Sequence, residues 1–81
     1  MEKFASELKQ FLVSSGYLEN EGDVADNESL FESGVIDSLA VIEITEFIKT
    51  EYDFTVPEGD LVAENFDSLD AMAAYLSKVT D

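Results

Sequence analysis

The chain contains no cysteine and no histidine among its 81 residues. Without cysteine it can form no disulfide, no thiolate metal site and no cysteine nucleophile. Without histidine it also lacks the commonest general base and the commonest transition-metal ligand. Because no catalytic triad can be assembled from the remaining residue types, we expect a protein that is not an enzyme. Nothing in the sequence requires an oxidising compartment, so the expected location is the cytoplasm.

Basic residues are scarce, with 4 Lys and Arg against 19 Asp and Glu and a net charge of −15. Such a charge repels the phosphates of nucleic acids and anionic lipid head groups. The expected partners are therefore proteins with basic surfaces, and nucleic acids are not among them. The same acidity would also follow from a need for solubility, and charge alone does not separate these explanations. An acidic adaptor or inhibitor that covers a basic surface noncovalently is thus one candidate function.

Long apolar runs are absent, since no segment approaches the roughly 18 to 20 residues that a membrane span needs. The first residues carry an early acid and no basic region before an apolar block, so no signal peptide is expected. With 46% hydrophobic residues, the chain is too apolar to remain disordered. Its length suits one modest core. We expect one domain over residues 1–81, present as a monomer.

Apolar residues at helical spacing predict three main helices, at about residues 2–14, 38–51 and 67–78. A long loop joins the first two helices, and loops of this length are often functional. Pro57 and the turn residues after it allow a short helix at about 58–62. Asp67 or Asn65 is predicted to cap the last helix. These elements predict an all-α fold, a bundle of three main helices and one short helix.

Two further patterns in the sequence do not define binding sites. The acidic stretch from Asp23 to Glu32 lacks the glycine at the sixth position and the glutamate at the twelfth that a calcium loop requires. No metal site is therefore predicted. Several phenylalanines stand at spacing typical of a core, which is a commoner role than that of a cofactor pocket. They are Phe4, Phe11, Phe47, Phe54 and Phe66.

The tripeptide Asp-Ser-Leu occurs twice, each time before an amphipathic helix, at residues 37–39 and 67–69. A helix N-terminus offers unpaired amides and the positive end of the helix dipole, which suits a phosphate ester on a serine oxygen. Asp37 and Ser38 are also both favoured N-cap residues, and caps are far commoner than modified serines. From the spacing alone, Ser38 cannot be distinguished from Ser68, nor either of them from a simple cap.

The longer segment around the first tripeptide is more specific, because it resembles the attachment motif of the acyl and peptidyl carrier protein family. This segment is Phe31-Glu32-Ser33-Gly34-Val35-Ile36-Asp37-Ser38-Leu39. The resemblance covers nearly the whole chain, including Val56-Pro57-Glu58 and Glu64-Asn65-Phe66. It implies that Ser38 receives 4′-phosphopantetheine from coenzyme A through a separate phosphopantetheinyl transferase, with Asp37 as the acid beside it. By the same match, Ser68 is only a helix start.

The resemblance also implies a function for the chain, that of a discrete carrier. Such a protein holds an acyl or aminoacyl group as a thioester on 4′-phosphopantetheine and shuttles it between a loading enzyme and downstream synthase enzymes. In the family, partners dock on the second helix, where Leu39 and Ile42 would make apolar contacts and Glu43 and Glu46 would face basic patches. For either glutamate, a merely solvated helix face is the alternative.

The pathway is indicated by departures from the commonest pattern of fatty acid synthesis. Ala40 stands where an acid usually follows the tripeptide, and Lys49 lies on an otherwise acidic helix. Residues 34–38 resemble discrete carriers of polyketide, nonribosomal peptide or D-alanine-loading pathways. We therefore favour polyketide, nonribosomal peptide or a related specialised pathway, with fatty acid synthesis and a D-alanyl carrier as alternatives.

Overall fold

Helix α1 begins the fold in a computed structural model that describes residues 2–80, so residues 1 and 81 of the predicted domain lie outside the described residues. It spans Glu2–Ser14 and buries Leu8 and Leu12. The helix ends in a Schellman motif: the amide of Tyr17 donates to the carbonyl of Leu12 (2.9 Å) and that of Gly16 to the carbonyl of Val13 (3.1 Å). Gly16 has φ +86°, a conformation that glycine adopts without steric cost.

Helix α2 spans Ser38–Tyr52 and is capped at both ends by aspartates. At its start the Asp37 carboxylate accepts a hydrogen bond from the amide of Ala40, at 2.9 Å. At its end Asp53 adopts the left-handed conformation (φ 54°), and its amide donates to the carbonyl of Lys49 (3.0 Å). The apolar spacing of the helix turns one face to the core, formed by Ala40, Ile44 and Ile48.

The C-terminal part of the chain differs from the sequence prediction in two respects. The short helix predicted at about 58–62 is a 3-10 helix at Glu58–Asp60, and a further short helix that was not predicted, α3, follows at Ala63–Phe66. Helix α4 spans Leu69–Thr80. The prediction that Asp67 or Asn65 caps the last helix is wrong, because the Ser68 hydroxyl accepts the hydrogen bond from the amide of Ala71 (3.0 Å).

The predicted all-α class is confirmed: residues 2–80 contain helices and no strand, with α1, α2 and α4 as the main helices. A further 3-10 turn lies at Glu21–Asp23 in the long loop. No helix in the described part of the chain is long and apolar enough to cross a membrane. Within the same range, no cluster of acidic side chains is arranged to hold a metal ion.

The core is formed by all the main helices and by apolar residues of the long loop. Its large, fully buried side chains are Leu8, Leu12, Leu30, Ile44, Ile48, Phe66, Leu69, Met72 and Leu76. Helix α1 packs most extensively against α4. Of the phenylalanines predicted to line the core, Phe66 is fully buried and the other four pack at its edge, half-buried. The edge aromatics join α1 to α2, since Phe4 meets Tyr52 edge-on and Phe11 stacks on Phe47.

Each of the three tyrosines donates its phenol hydrogen to a carboxylate from a distant part of the chain. The pairs are Tyr17 with Glu43 (2.6 Å), Tyr75 with Asp60 (2.7 Å), and Tyr52 with Glu7. The hydrogen bond to Glu43 raises the pKa of Tyr17 to about 12. Burial, together with the hydrogen bond to Asp60, raises the pKa of Tyr75 to about 12. Burial first, and then Glu7, also raise the pKa of Tyr52.

These raised pKa values predict a loss of stability at high pH. Above the unfolded tyrosine pKa of about 10, the unfolded chain releases phenol protons that the folded chain retains. The free energy of unfolding should therefore be unaffected by these tyrosines below pH about 10 and should fall as the pH rises towards about 12. Urea unfolding at a series of pH values measures this slope. Tyr17→Phe should make the slope shallower, and an unchanged slope would contradict this assignment.

Candidate functional site

The loop that leads into α2 is folded tightly before it reaches Ser38. The amides of Val35 and Ile36 both donate to the carbonyl of Leu30, at 3.0 and 3.2 Å. Between them and Leu30 the chain reverses at Gly34, which has φ +79° and would be strained with any side chain. Ile36 is buried and fixes the end of the loop in the core. The next two residues are thereby delivered to the surface at a defined position.

Ser38 occupies the first position of α2, one residue after the cap. The sequence left open whether Asp37 or Ser38 is the N-cap, and the structure shows that it is Asp37. The Ser38 side chain is exposed, and its hydroxyl has no hydrogen-bond partner among residues 2–80. The amides of Ser38 and Leu39 belong to the first turn, where a helix provides no acceptor for them. A free hydroxyl therefore lies beside free amides at the positive end of the helix dipole.

The second Asp-Ser-Leu tripeptide stands one residue earlier relative to its helix than the first. There the serine is itself the cap, since the Ser68 hydroxyl accepts from the amide of Ala71, and α4 begins only at Leu69. Ser68 is half-buried, whereas Ser38 is exposed. The two serines, which the spacing of the tripeptide alone could not distinguish, thus differ in both exposure and hydrogen bonding.

Asp67 does not cap α4, and its side chain instead binds the loop that precedes Ser38. Its carboxylate accepts hydrogen bonds from the hydroxyl of Ser29 (2.8 Å) and the amide of Phe31 (3.3 Å). Its carbonyl accepts from the amide of Leu30 at 2.6 Å. Sequence reasoning missed this role because the partners lie 36 to 38 residues away. The junction of α3 and α4 is thereby tied to the segment that presents Ser38.

Asp67→Ala should lower the free energy of unfolding by about 2 kcal/mol, since it removes a charged acceptor and leaves two loop donors without it. Urea unfolding measures the loss, and amide hydrogen exchange should show faster opening at Phe31. Asp70→Ala is the matched control, because Asp70 is an exposed aspartate in the first turn of α4. It should cost less than about 1 kcal/mol, the range of a helix-dipole contact. Equal losses would contradict the anchoring role.

An apolar cavity of about 280 Å³ opens beside Ser38, between α2 and the segment that contains α3. Its lining consists of Phe31, Ser38, Val41, Ile42, Leu61, Val62, Ala63 and Phe66. Several of these side chains are unusually exposed for large hydrophobic residues. Leu39, which follows Ser38 but does not line the cavity, has the largest exposed fraction of the large hydrophobic residues that the structure describes. Ser38 is the one lining residue with a polar side chain. The serine therefore stands at the border of an apolar surface.

Of the four residues predicted to contact partners, three are exposed and one is half-buried. Leu39 and Ile42 are 61% and 54% exposed, so both are available for apolar contacts. Glu46 is also exposed. Glu43, by contrast, is half-buried and accepts the hydrogen bond from Tyr17, which fastens the start of the long loop to α2. Glu43 thus has a structural contact that the sequence did not reveal.

Comparison with known proteins identifies the family. Residues 15–76 match the model of a family described as the phosphopantetheine attachment site. The match covers most of the chain, and the chain therefore belongs to this family, which confirms the resemblance found in the sequence. Its members carry covalently attached 4′-phosphopantetheine and are generally carriers without catalytic activity of their own. No curated protein matches the chain.

Proposed function

We propose that this protein is a discrete acyl carrier that bears 4′-phosphopantetheine on Ser38. The observation that carries the proposal is the exposed, unpartnered hydroxyl at the first position of α2. Ser68 lies within the same family match, but its hydroxyl caps α4 by accepting the hydrogen bond from the amide of Ala71. We propose further that residues 1–81 act as one domain, as a monomer and in the cytoplasm.

Attachment requires one bond to form and one to break at phosphorus. The Ser38 oxygen forms a phosphoester with the phosphopantetheine half of coenzyme A, and the P–O bond of the diphosphate breaks. Adenosine bisphosphate leaves, and the hydroxyl proton passes to a base of the transferase or to water. The chain contains no histidine that could accept this proton. Its contribution is to present the hydroxyl without competing hydrogen bonds.

The residues around Ser38 fit the prosthetic group. The free amides of Ser38 and Leu39 suit a phosphate, and the cap contact of Asp37 keeps its carboxylate on the amide of Ala40. The bordering apolar cavity offers the phosphopantetheine chain, called the arm below, an apolar surface to contact. The group supplies a terminal thiol, on which an acyl or aminoacyl cargo is held as a thioester. The absence of cysteine is therefore no obstacle to the function.

The partners in this proposal are the phosphopantetheinyl transferase, a loading enzyme and downstream synthase enzymes. Leu39 and Ile42 would provide apolar contacts beside the arm, and Glu46 would meet basic residues. Glu43 is included as a docking residue, although its hydrogen bond to Tyr17 supports a positioning role as well. Because the net charge is −15, attraction to basic patches should raise the rate of encounter more than the final affinity.

For the pathway, we propose polyketide, nonribosomal peptide or related specialised biosynthesis. Support comes from the resemblance of residues 34–38 to carriers of such pathways and from Ala40. Ala40 is fully buried beneath the first turn of α2, so an acid at this position would have to be taken out of water. Fatty acid synthesis and D-alanine loading remain the alternatives within the family.

Mass spectrometry tests the attachment directly on the native chain. The protein would be incubated with coenzyme A, Mg²⁺ and a broad-specificity transferase, and we expect the addition of one phosphopantetheine. Trypsin then separates the two serines, because cleavage after Lys9, Lys49 and Lys78 places Ser38 in peptide 10–49 and Ser68 in peptide 50–78. Fragmentation should locate the group on Ser38. No addition to the folded protein would favour the acidic adaptor instead.

A further inference from the structure

The position of the Ser38 hydroxyl is set by the backbone that carries it. The hydroxyl has no hydrogen-bond partner among residues 2–80, and the serine follows the cap residue Asp37 directly. Ser38 also lies in the first turn of α2, and helix ends fray readily. Its placement therefore depends on how firmly the preceding turn, residues 30–36, is held. Placement matters because a displacement of about 1 Å can lower a reaction rate about 100-fold.

Leu30 connects this turn to the rest of the fold. Its side chain is fully buried, and its carbonyl accepts hydrogen bonds from the amides of both Val35 and Ile36. Its own amide donates to the carbonyl of Asp67, at 2.6 Å. A continuous series of hydrogen bonds thus runs from the junction of α3 and α4 to Ile36, two positions before Ser38.

The Asp67 side chain holds the residues on both sides of Leu30. Its Oδ1 atom accepts hydrogen bonds from the hydroxyl of Ser29 at 2.8 Å and from the amide of Phe31 at 3.3 Å. The Ser29 oxygen accepts in turn from the amide of Glu32, at 3.2 Å. The backbone and side chain of one aspartate therefore bind three successive residues of the loop.

The docking face of α2 does not take part in this connection. The first turn of α2 is held separately, by the hydrogen bond from the amide of Ala40 to the Asp37 carboxylate. Both groups that donate to the Asp67 carboxylate belong to the loop, outside α2. A looser loop should therefore displace the Ser38 oxygen while a partner can still dock on the helix.

We infer that Asp67 is a positioning residue for phosphopantetheine attachment, because it holds the loop that places the Ser38 oxygen for the transferase. The inference rests on attachment at Ser38, as proposed above, and gives Asp67 an effect on the rate of transfer beyond its contribution to stability. A carboxylate oxygen can accept both loop hydrogen bonds, and so can the side-chain oxygen of an asparagine. Asp67→Asn thus keeps the contacts without the charge, whereas Asp67→Ala keeps neither.

Single-turnover loading tests this inference. The transferase, saturated with coenzyme A and Mg²⁺, is held in excess over the native chain or a variant at a temperature where each is folded. Its concentration is varied to give the maximal rate constant of transfer and the half-saturating concentration separately. Asp67→Ala should lower the maximal rate constant about tenfold and leave half-saturation within about twofold. Asp67→Asn should keep both values within about twofold of the native chain.

Two neighbouring variants separate positioning from charge and from stability. Asp70→Ala removes the same charge from an exposed side chain three residues further along the chain. Ser68→Ala removes the cap of α4 without altering the contacts of the loop. Both should transfer at the native rate constant. NMR relaxation of backbone amides gives a readout without the transferase, and only Asp67→Ala should show increased motion at Ile36 and Ser38.

A native rate constant in Asp67→Ala would overturn the inference, because the aspartate would then support the fold alone. A loss confined to half-saturation would make Asp67 a docking residue instead. Equal losses in Asp70→Ala or Ser68→Ala would assign the effect to charge or to stability, and an Asp67→Asn variant as slow as Asp67→Ala would exclude the hydrogen bonds as its cause. Each of these results leaves the native chain loaded, whereas failure of the attachment proposal would appear as a native chain that does not load.

Discussion

Ser38→Ala is expected to lose all phosphopantetheine loading while keeping its fold. The hydroxyl oxygen that would form the ester is gone, and no other group on the first turn of α2 replaces it. Stability should change by less than about 0.5 kcal/mol, because the side chain is exposed and the helix retains its cap on Asp37. Intact-protein mass spectrometry measures loading, and urea unfolding measures stability.

Ser68→Ala provides the opposite expectation, and the pair is therefore more informative than either variant alone. Its hydroxyl caps α4, so its loss should lower the free energy of unfolding by about 1 kcal/mol. Loading should nevertheless proceed to one group per chain. Loading that persists in Ser38→Ala, or that disappears in Ser68→Ala although the protein remains folded, would contradict the assignment of the two serines.

The main helices could be predicted because their signals are local. Apolar spacing placed the first two helices at about 2–14 and 38–51, and they span Glu2–Ser14 and Ser38–Tyr52. Turn residues such as Gly16 stand where the chain requires a positive φ. Such features depend on neighbours within a few positions, and a single sequence contains that information.

The C-terminal capping could not be predicted because it is decided by distant contacts. Asp67, Ser68 and Asn65 are all acceptable N-caps by residue type. The choice falls on Ser68 because Asp67 is engaged by Ser29 and by the amide of Phe31, from a loop far away in sequence. Helix α3 was missed for a related reason, since its four residues are too few to show a helical period.

In the candidate site too, the features with a local signal could be predicted and those that depend on distant contacts could not. The family resemblance pointed to Ser38, Leu39 and Ile42 from their order in the sequence, and the structure places all three at the surface. The engagement of Glu43 by Tyr17 joins residues 26 positions apart and left no signal in either segment. The position of Phe11 and Phe47 at the edge of the core was equally hidden, because spacing alone does not distinguish a core aromatic from one at its edge.

Phe66→Ala should cause the largest loss of stability among these variants, about 3 to 5 kcal/mol. Phe66 is 1% exposed, ends α3, and packs against the ring of Tyr75 with centroids 5.8 Å apart. It also forms the inner wall of the cavity beside Ser38. Truncation removes the buried ring and enlarges this cavity, and a domain of this size should then melt about 15 °C lower or more. Thermal unfolding followed by circular dichroism measures the shift.

Phe31→Ala is the matched control, because Phe31 lines the same cavity but is 38% exposed. Its ring is already partly in water, so truncation should cost only about 1 kcal/mol. Equal losses of stability in the two variants would mean that burial of the ring does not explain the contribution of Phe66 to stability. If Phe66→Ala melts lower yet still loads on Ser38 at a temperature where it is folded, the cavity wall supports the fold without being required for attachment. If loading fails in the folded variant, the cavity wall is needed to present Ser38 to the transferase.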